Sequence, residues 1–238
     1  MVFSAPGAYD HAITVFSPDG RIFQVEYALE TVKRGSTVLG IACAEGVVLA
    51  AEEIQASQLQ DPEFLWKIFL IDNHVAAAVS GLSSDARILV DRARLIAQSN
   101  RLTYDEPIGV EALSKRLGDI EQQYTQNGGV RPFGVSIIFG GVDKDSAKVF
   151  QTDPSGSYWA YKAVSIGSGS DTVREILEAK YSEAMSLDDV VLLAVECISK
   201  VVEELDAKKI GVVVIPLSTQ KSRRLTDKEV GAYIAKLH

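Results

Sequence analysis

An apolar hairpin near the start of the chain is the feature that most restricts the possible folds. Residues 37–42 and 47–51 are nearly unbroken apolar runs, and Glu45-Gly46 between them is typical of a tight turn. Strands that lack apolar–polar alternation are buried on both faces. The segment therefore predicts an antiparallel strand pair in a sheet that is covered on both sides.

The rest of the chain continues this pattern, with hairpins separated by pairs of helices. Apolar runs and turn residues predict further strands over 67–71, 75–80, 134–142, 147–152, 158–166 and 210–215. Helical spacing of apolar residues predicts helices at 169–181 and 187–205, the second with a capping box at Ser186 and Asp189. A second capping box at Thr226 and Glu229 predicts a final helix. Because a doubly wound parallel sheet needs single helices between single strands, the pattern predicts an α+β fold with antiparallel sheets.

Two further helices are predicted between the hairpins. Their apolar faces are traced by Ala86, Leu89, Val90, Ala93, Ile96 and Ala97, and by Val110, Leu113, Leu117, Ile120 and Tyr124. Another helix, over residues 20–34, precedes the first hairpin. Ser17-Pro18-Asp19-Gly20 has proline and glycine at the β-turn positions that favour them, and Asp19 is predicted as the helix N-cap. The apolar arc of this helix comprises Ile22, Val25, Leu29 and Val32, with Phe23 and Tyr27 in a second row.

The sequence of residues 17–28 resembles the N-terminal signature of proteasome core-particle α subunits. Other fragments that carry the resemblance are Gly35-Ser36-Thr37, Ser80-Gly81-Leu82, Asp85-Ala86-Arg87, Tyr124-Thr125-Gln126, Arg131-Pro132-Phe133-Gly134 and Thr152-Asp153-Pro154-Ser155-Gly156. The resemblance implies a four-layer αββα sandwich of the N-terminal-nucleophile hydrolase type, with an N-terminal helix extension. It divides the chain into a gate segment and signature helix at 1–35 and a sandwich domain at 36–238.

The same resemblance implies a non-catalytic subunit that forms the outer heptameric ring of the particle. The expected partners are other α subunits, β subunits, the C-terminal tails of ATPases or other activators, and unfolded protein substrates. No catalytic residue, metal or cofactor is expected, and the expected compartment is the cytoplasm. In this family, Tyr9, Asp10, Pro18 and Tyr27 match the positions that cluster to hold the gate open. His11 stands where relatives usually have arginine.

Lys67 matches the family position that meets the C-terminal carboxylate of an activator, with the backbone around Gly81 lining the same pocket. The alternative interpretation is a strand-edge lysine in a surface ion pair. The loop that narrows the axial channel corresponds to Asn127, Gly128, Gly129 and Val130, and some relatives have tyrosine at the position of Asn127. This substitution predicts a less apolar aperture.

A rival function is a self-processing amidase. In the related β subunits, cleavage before a threonine frees the amine that assists the hydroxyl nucleophile. Alignment places Ser36 at the nucleophile, Glu52 near its acidic partner and Lys67 at the lysine that lowers the nucleophile's pKa. Because Ser36 is an internal residue whose amide nitrogen cannot act as a base, the non-catalytic function is favoured. The glycine-rich stretch 167–172 lacks the third glycine of a dinucleotide fingerprint and favours a tight strand-to-helix corner.

Bulk composition excludes several other functions. With 32 acidic and 24 basic residues, the chain does not carry the clustered positive charge of a nucleic-acid surface. The basic run 221–224 is interpreted as a solvated strand edge. Cys43 and Cys197 lie in apolar segments and are predicted to be buried thiols, which suits a reducing compartment. No apolar run approaches the roughly 20 residues of a membrane span, no secretory signal is recognised, and His11, His74 and His238 are too scattered for a metal site.

Overall fold

Two five-stranded antiparallel sheets pack face to face between two layers of helices. The computed structural model describes residues 14–54, 57, 59–61 and 66–237. The described strands are β1 Val38–Cys43, β2 Gly46–Glu52, β3 Ile68–Asp72, β4 Val75–Gly81, β5 Val135–Val142, β6 Ala147–Thr152, β7 Tyr158–Tyr161, β8 Ala163–Ile166, β9 Ile210–Pro216 and β10 Arg223–Arg224. The described helices are α1 Phe23–Lys33, α2 Ser83–Tyr104, α3 Val110–Gln126, α4 Ser170–Lys180, α5 Leu187–Ser199 and α6 Asp227–Ala235.

The first sheet has the strand order β10-β9-β2-β1-β8 and the second has the order β3-β4-β5-β6-β7. A layer of apolar side chains joins the two sheets, including Leu49 and Ile138, which are both fully buried. Helices α4, α5 and α6 cover the outer face of the first sheet, and α2 and α3 cover that of the second. This arrangement confirms the predicted four-layer sandwich. It also explains the unbroken apolar run of β2, since every residue of that strand is buried.

Several predicted element boundaries are wrong. Residues 158–166 form two strands in different sheets, because the chain crosses from the second sheet to the first at Lys162. Helix α5 ends at Ser199, six residues before the predicted end at 205. The two predicted capping boxes are confirmed, because the hydroxyls of Ser186 and Thr226 both accept from the third backbone N–H of their helices.

The buried face of α3 is confirmed at Val110, Leu113 and Leu117, but it is wider than predicted. Tyr124 is 36% exposed, whereas the polar side chains of Glu121 and Thr125 are buried. The prediction missed these two positions because it counted only apolar side chains. Cys43 and Cys197 are buried free thiols as predicted, and burial raises the pKa of Cys197 to about 12. No helix within the described ranges has the length and apolar content needed to cross a membrane.

Candidate functional site

The turn before α1 has the predicted β-turn form, but the helix begins later than expected. The N–H of Gly20 donates to the carbonyl oxygen of Ser17 at 2.8 Å, which closes the turn. Helix α1 starts at Phe23 after Ile22, and Asp19 is not its N-cap. Instead, the hydroxyl oxygen of Ser17 accepts from the N–H of Arg21 at 3.0 Å. Residues 17–21 therefore form a self-contained turn ahead of the helix.

Helix α1 buries one face and exposes the other. Val25, Ala28 and Val32 are buried against the sandwich, where α1 packs on β4 and β5. On the opposite side, the rings of Phe23 and Tyr27 stack with their centroids 6.5 Å apart, and Tyr27 is 48% exposed. Phe23 is half-buried, with the guanidinium of Arg21 4.9 Å from its ring centroid, so the predicted second row lies opposite the buried face and does not widen it.

The gate residues predicted from the sequence are only partly covered by the structure. Pro18 and Tyr27 are both exposed, which leaves them accessible at one surface. Tyr9 and Asp10 lie outside the described residues, as does His11. The predicted contact of Tyr9 with Pro18 and Tyr27 therefore stays a prediction.

Hydrogen bonds fix the connection between α1 and β1 on both sides of Ser36. The carbonyl of Gly35 accepts from the N–H of Ser168 at 2.9 Å. The hydroxyl of Ser80 lies within hydrogen-bond distance of the carbonyl oxygens of Val32 and Ser36, at 3.1 and 3.0 Å. A side chain at Gly35 would collide with the backbone of Gly81, so glycine is required there by close approach. Arg34, which precedes Gly35, is the C-cap, with ordinary right-handed geometry.

Two of the three residues aligned with the catalytic set of β subunits, Ser36 and Glu52, lie beside the start of β1, and Lys67 directly precedes β3. Ser36 is joined through an ordinary peptide bond to Gly35. The buried carboxylate of Glu52 accepts from the backbone N–H of Thr37 at 3.3 Å. Within the described chain, neither Glu52 nor Lys67 forms an ion pair. In the unprocessed chain, the backbone nitrogen of Ser36 is therefore an amide.

Lys67 is half-buried beside a different acid, Glu53. Its backbone N–H donates to Oε1 of Glu53 at 3.3 Å, and its carbonyl oxygen accepts from the N–H of Val79 at 2.9 Å. Burial lowers the pKa of the Lys67 ammonium, and the charge of Glu53 opposes this shift. Within the described ranges, no salt bridge of the Lys67 ammonium is present. Residues 62–65, which precede Lys67 and include Glu63, lie outside the described residues, so both the docking role and the alternative of a surface ion pair stay predictions.

Gly81 ends β4 two residues beyond Val79, so it lies at the same end of the second sheet as Lys67. Its φ of +118° is in the range that favours glycine, and an added Cβ would collide with the carbonyl oxygen of Gly134. The backbone around Gly81 consequently lies close to both Gly35 and Gly134. The structure therefore places both predicted docking residues at one corner.

The sequence did not reveal the pair formed by Glu53 and Arg224. Arg224 belongs to the predicted strand edge, which is confirmed as β10, but its side chain is largely buried rather than solvated. Its guanidinium donates to Glu53 and stacks on the ring of Trp66, 4.5 Å from the centroid. Burial raises the pKa of Glu53, although the charge of Arg224 opposes the shift. The signal that could have been noticed is a second acid, Glu53, directly after Glu52 at the end of an otherwise apolar strand.

The predicted channel loop is exposed and is anchored firmly at its C-terminal side. Residues 127–130 follow α3, and neither Gly128 nor Gly129 has a neighbour within 4 Å of an added Cβ. Directly after the loop, Arg131 forms a bidentate pair with Asp85, at 2.6 and 2.9 Å. The N–H of Gly134 donates to the same carboxylate at 2.8 Å. Burial alone would raise the pKa of Asp85, but these hydrogen bonds hold it below its ordinary value.

The glycine-rich corner after β8 does not present free amides to a phosphate. The N–H of Ser168 donates to Gly35, that of Gly169 donates to the hydroxyl oxygen of Thr37 at 2.9 Å, and that of Ser170 donates to Gly167 at 3.2 Å. These bonds match the predicted strand-to-helix corner. The described residues also contain no group of three or more His, Cys, Asp or Glu side chains placed to hold a metal ion.

Comparison with known proteins agrees with this geometry. A family model described as "Proteasome subunit" matches residues 32–215, and a model of the N-terminal signature of A-type proteasome subunits matches residues 9–30. The proteasome alpha subunit of Thermococcus sibiricus is 52% identical over 97% of this chain and 88% of the relative. The protein of the same name from Methanocaldococcus jannaschii is 50% identical over 100% of this chain and 91% of the relative. The proteasome alpha subunit of Methanosarcina acetivorans is 51% identical over 96% of this chain and 93% of the relative.

The two sheets pack between helix layers, and the α1–β1 connection contains Gly35 and Ser36. This arrangement defines a protein of the N-terminal-nucleophile hydrolase-like fold class. Within that class, the chain belongs to the proteasome subunit family and carries the N-terminal signature of its α type.

Proposed function

We propose that this chain is a non-catalytic α subunit that forms the outer heptameric rings of the proteasome core particle. The observation that carries the proposal is the continuous connection from α1 through Gly35 and Ser36 into β1, held by hydrogen bonds from Ser80 and Ser168. A nucleophile of this class needs a free amine next to its hydroxyl. The backbone nitrogen of Ser36 is an amide and cannot take the proton.

Assembly is assigned to the outer face of α1. Tyr27 is 48% exposed, and its ring stacks on the half-buried ring of Phe23, which gives the outer face of α1 an aromatic surface. In the proposed ring, this surface packs against a neighbouring α subunit. The resulting rings stack on rings of β subunits, which supply the peptidase activity in the cytoplasm, and the α subunit itself needs no cofactor.

Gating is assigned to the N-terminal segment and to the loop of residues 127–130. In the open form, Tyr9 packs on Pro18 and Tyr27 while Asp10 provides a polar anchor. The loop narrows the channel through which unfolded substrates enter, and Asn127 makes its edge polar. The exposure of Pro18, Tyr27 and the loop supports this assignment.

Activator docking is assigned to Lys67 and the backbone around Gly81. The half-buried ammonium of Lys67 has no described ion-pair partner, so a C-terminal carboxylate of an ATPase or other activator can neutralise it. The backbone at Gly81 has no side chain that would obstruct the approach of an extended tail.

Electron microscopy of the purified chain tests the proposal, because the expected particles are seven-fold rings. Particles reconstituted with β subunits then test gating. Deleting residues 2–8 is expected to speed peptide hydrolysis without an activator, and Tyr9→Ala is expected to block activator stimulation while basal turnover stays low. Monomers without rings would contradict the assembly. An unchanged rate after the deletion, or full stimulation of Tyr9→Ala particles, would contradict the gate.

A further inference from the structure

The acid Glu121 is fully buried on α3, where the helix meets the end of β6. Its exposed fraction is 0%, and its Oε1 accepts one long hydrogen bond, 3.4 Å from the hydroxyl of Thr152. Its Oε2 has no hydrogen-bond partner. Burial of an ionised carboxylate without a cation or several donors is very costly. The geometry therefore requires a neutral carboxyl group in the folded chain.

The groups that face Glu121 do not supply a positive charge. Asp153, at the start of the β6–β7 turn, adds negative charge. Three cations on this and the adjoining elements pair with other acids: Arg101 of α2 with Asp72, Lys148 of β6 with Asp143, and Lys115 of α3 with Asp119. In the described ranges, no lysine, arginine or histidine pairs with Glu121.

These surroundings set the direction of the pKa shift. Burial raises the pKa of Glu121 well above its ordinary value. The hydrogen bond from Thr152 opposes this shift in part, and the charge of Asp153 raises the pKa further.

The contact that contains Glu121 is tightly packed and leads directly into the loop of residues 127–130. An added Cβ at Gly118 would come within 2.7 Å of the carbonyl oxygen of Gly156 in the β6–β7 turn. The turn is closed by Asp153, whose carbonyl oxygen accepts from the N–H of Gly156 at 2.8 Å. Because α3 ends at Gln126, any displacement of its last turns moves the start of the loop.

The two sides of the loop therefore respond differently to pH. On the C-terminal side, the Asp85–Arg131 pair strengthens as the carboxylate ionises and stays intact as pH rises. On the N-terminal side, ionisation of Glu121 would leave a buried charge next to Asp153. The carboxylate could then gain water only if α3 moves away from the turn.

We propose that Glu121 is a pH-sensitive latch that holds the C-terminal half of α3 on the β6–β7 turn while it is neutral, and that releases this half and the loop of residues 127–130 when it ionises. The latch does not depend on the loop lining a channel, so it stands or falls separately from the function proposed above.

The expected direction follows from proton binding. The latched state binds the proton more tightly than the open state, in which Glu121 has the ordinary pKa of a glutamate. The latched state is therefore fully favoured below that ordinary value and loses stability as pH rises towards the raised one. Between the two values, the local opening constant increases by about tenfold per pH unit.

Hydrogen exchange of the full-length chain over a pH series tests the latch, after correction for the intrinsic pH dependence of exchange. We expect the protection of amides in residues 118–130 to fall by about tenfold per pH unit in this range. Amides of β2 should show no such loss. Glu121→Gln, which keeps a neutral hydrogen-bonding group, should remove the pH dependence. Glu111→Gln, an exposed acid on the same helix, should retain it.

Each of these measurements can contradict the proposed latch. Protection of residues 118–130 that stays constant with pH in the unmodified chain would overturn it without any variant. The same pH dependence in Glu121→Gln would assign the effect to another group. Parallel loss of protection in β2 would show global unfolding instead of local release. Should Glu121→Gln fail to fold, Glu121→Leu provides a second neutral side chain with the same expected result.

Discussion

The corner around Ser36 and the outer face of α1 differ in how completely one chain satisfies them. At the corner, backbone groups of Gly35 and Ser36 are hydrogen-bonded, and Gly35 and Gly81 approach as closely as glycines allow. On α1, the ring of Tyr27 is 48% exposed and stacks on the half-buried ring of Phe23. The corner is thus completed within the chain, whereas the outer face of α1 keeps aromatic surface at the solvent. Under the proposed function, this surface meets a neighbouring subunit.

The largest effect on stability is expected from Gly81→Ala, which tests whether the corner around Ser36 is tightly packed. The substitution combines a backbone conformation unfavourable to alanine with a collision at Gly134. We expect a loss of on the order of 4 kcal/mol in the free energy of unfolding, measured by urea denaturation. Gly128→Ala, where an added Cβ meets nothing, is the matched control and should change stability little. A Gly81→Ala chain as stable as the control would show that the corner is loosely packed.

The next effect concerns the outer face of α1. Replacing both Phe23 and Tyr27 by serine should abolish ring formation while circular dichroism shows an unchanged fold. Each lost aromatic contact removes roughly 0.5–1.5 kcal/mol beyond burial, and the loss recurs at every interface of a ring. Lys33→Ala, an exposed position on the same helix, should still form rings. Intact rings of the double variant in light scattering would assign assembly to another surface.

Lys67→Ala is expected to weaken activator docking without preventing assembly. A charge-assisted hydrogen bond contributes about 1.5–3 kcal/mol, so a C-terminal tail peptide should bind about 10- to 100-fold more weakly. Because burial lowers the pKa of Lys67, docking to the unmodified chain should also decline as pH rises through this lowered value. The variant should lack that decline.

Lys115→Ala, an exposed lysine on α3, is the control for peptide affinity measured by calorimetry or fluorescence anisotropy. Equal affinities of the Lys67→Ala and Lys115→Ala chains for the tail peptide would exclude Lys67 from docking.

The smallest effect is expected from Ser186→Ala, which removes a helix cap far from both regions. Loss of the hydroxyl that accepts from Asp189 should cost about 1 kcal/mol in thermal or chemical denaturation. Rings and peptide docking should be retained, which would separate local functional losses from a general loss of stability. Ser99→Ala, an exposed position inside α2, should cost no stability. A docking defect in Ser186→Ala would instead link docking to overall stability.

Local sequence patterns predicted the antiparallel strands and the capping boxes well because both depend on neighbouring residues, whereas the four-layer sandwich was expected from the family resemblance. The β1–β2 hairpin, for example, is defined by apolar runs around one turn. The crossing between sheets at Lys162 could not be predicted, since both strands have the same local pattern and only tertiary packing separates them. The burial of Glu121 and Arg224 was missed for a related reason. Charged side chains are normally exposed, and their partners are distant in sequence.

Part of the candidate site was predictable only through the family resemblance. That resemblance singled out Lys67 and Gly81, and the structure brings them to one corner. It did not single out Glu53, whose buried carboxylate faces Lys67 and pairs with Arg224. This contact depends on the fold and on a residue far along the chain.

The central claim is that the Gly35–Ser36 peptide bond remains intact and that residues before it belong to the working protein. Intact mass spectrometry of the chain purified together with its β subunits measures this directly. The account predicts the mass of the unprocessed chain, 25.8 kDa, apart from any removal of the initiator methionine. A product that begins at Ser36 would contradict it, because such a product would carry the free amine that an N-terminal nucleophile requires.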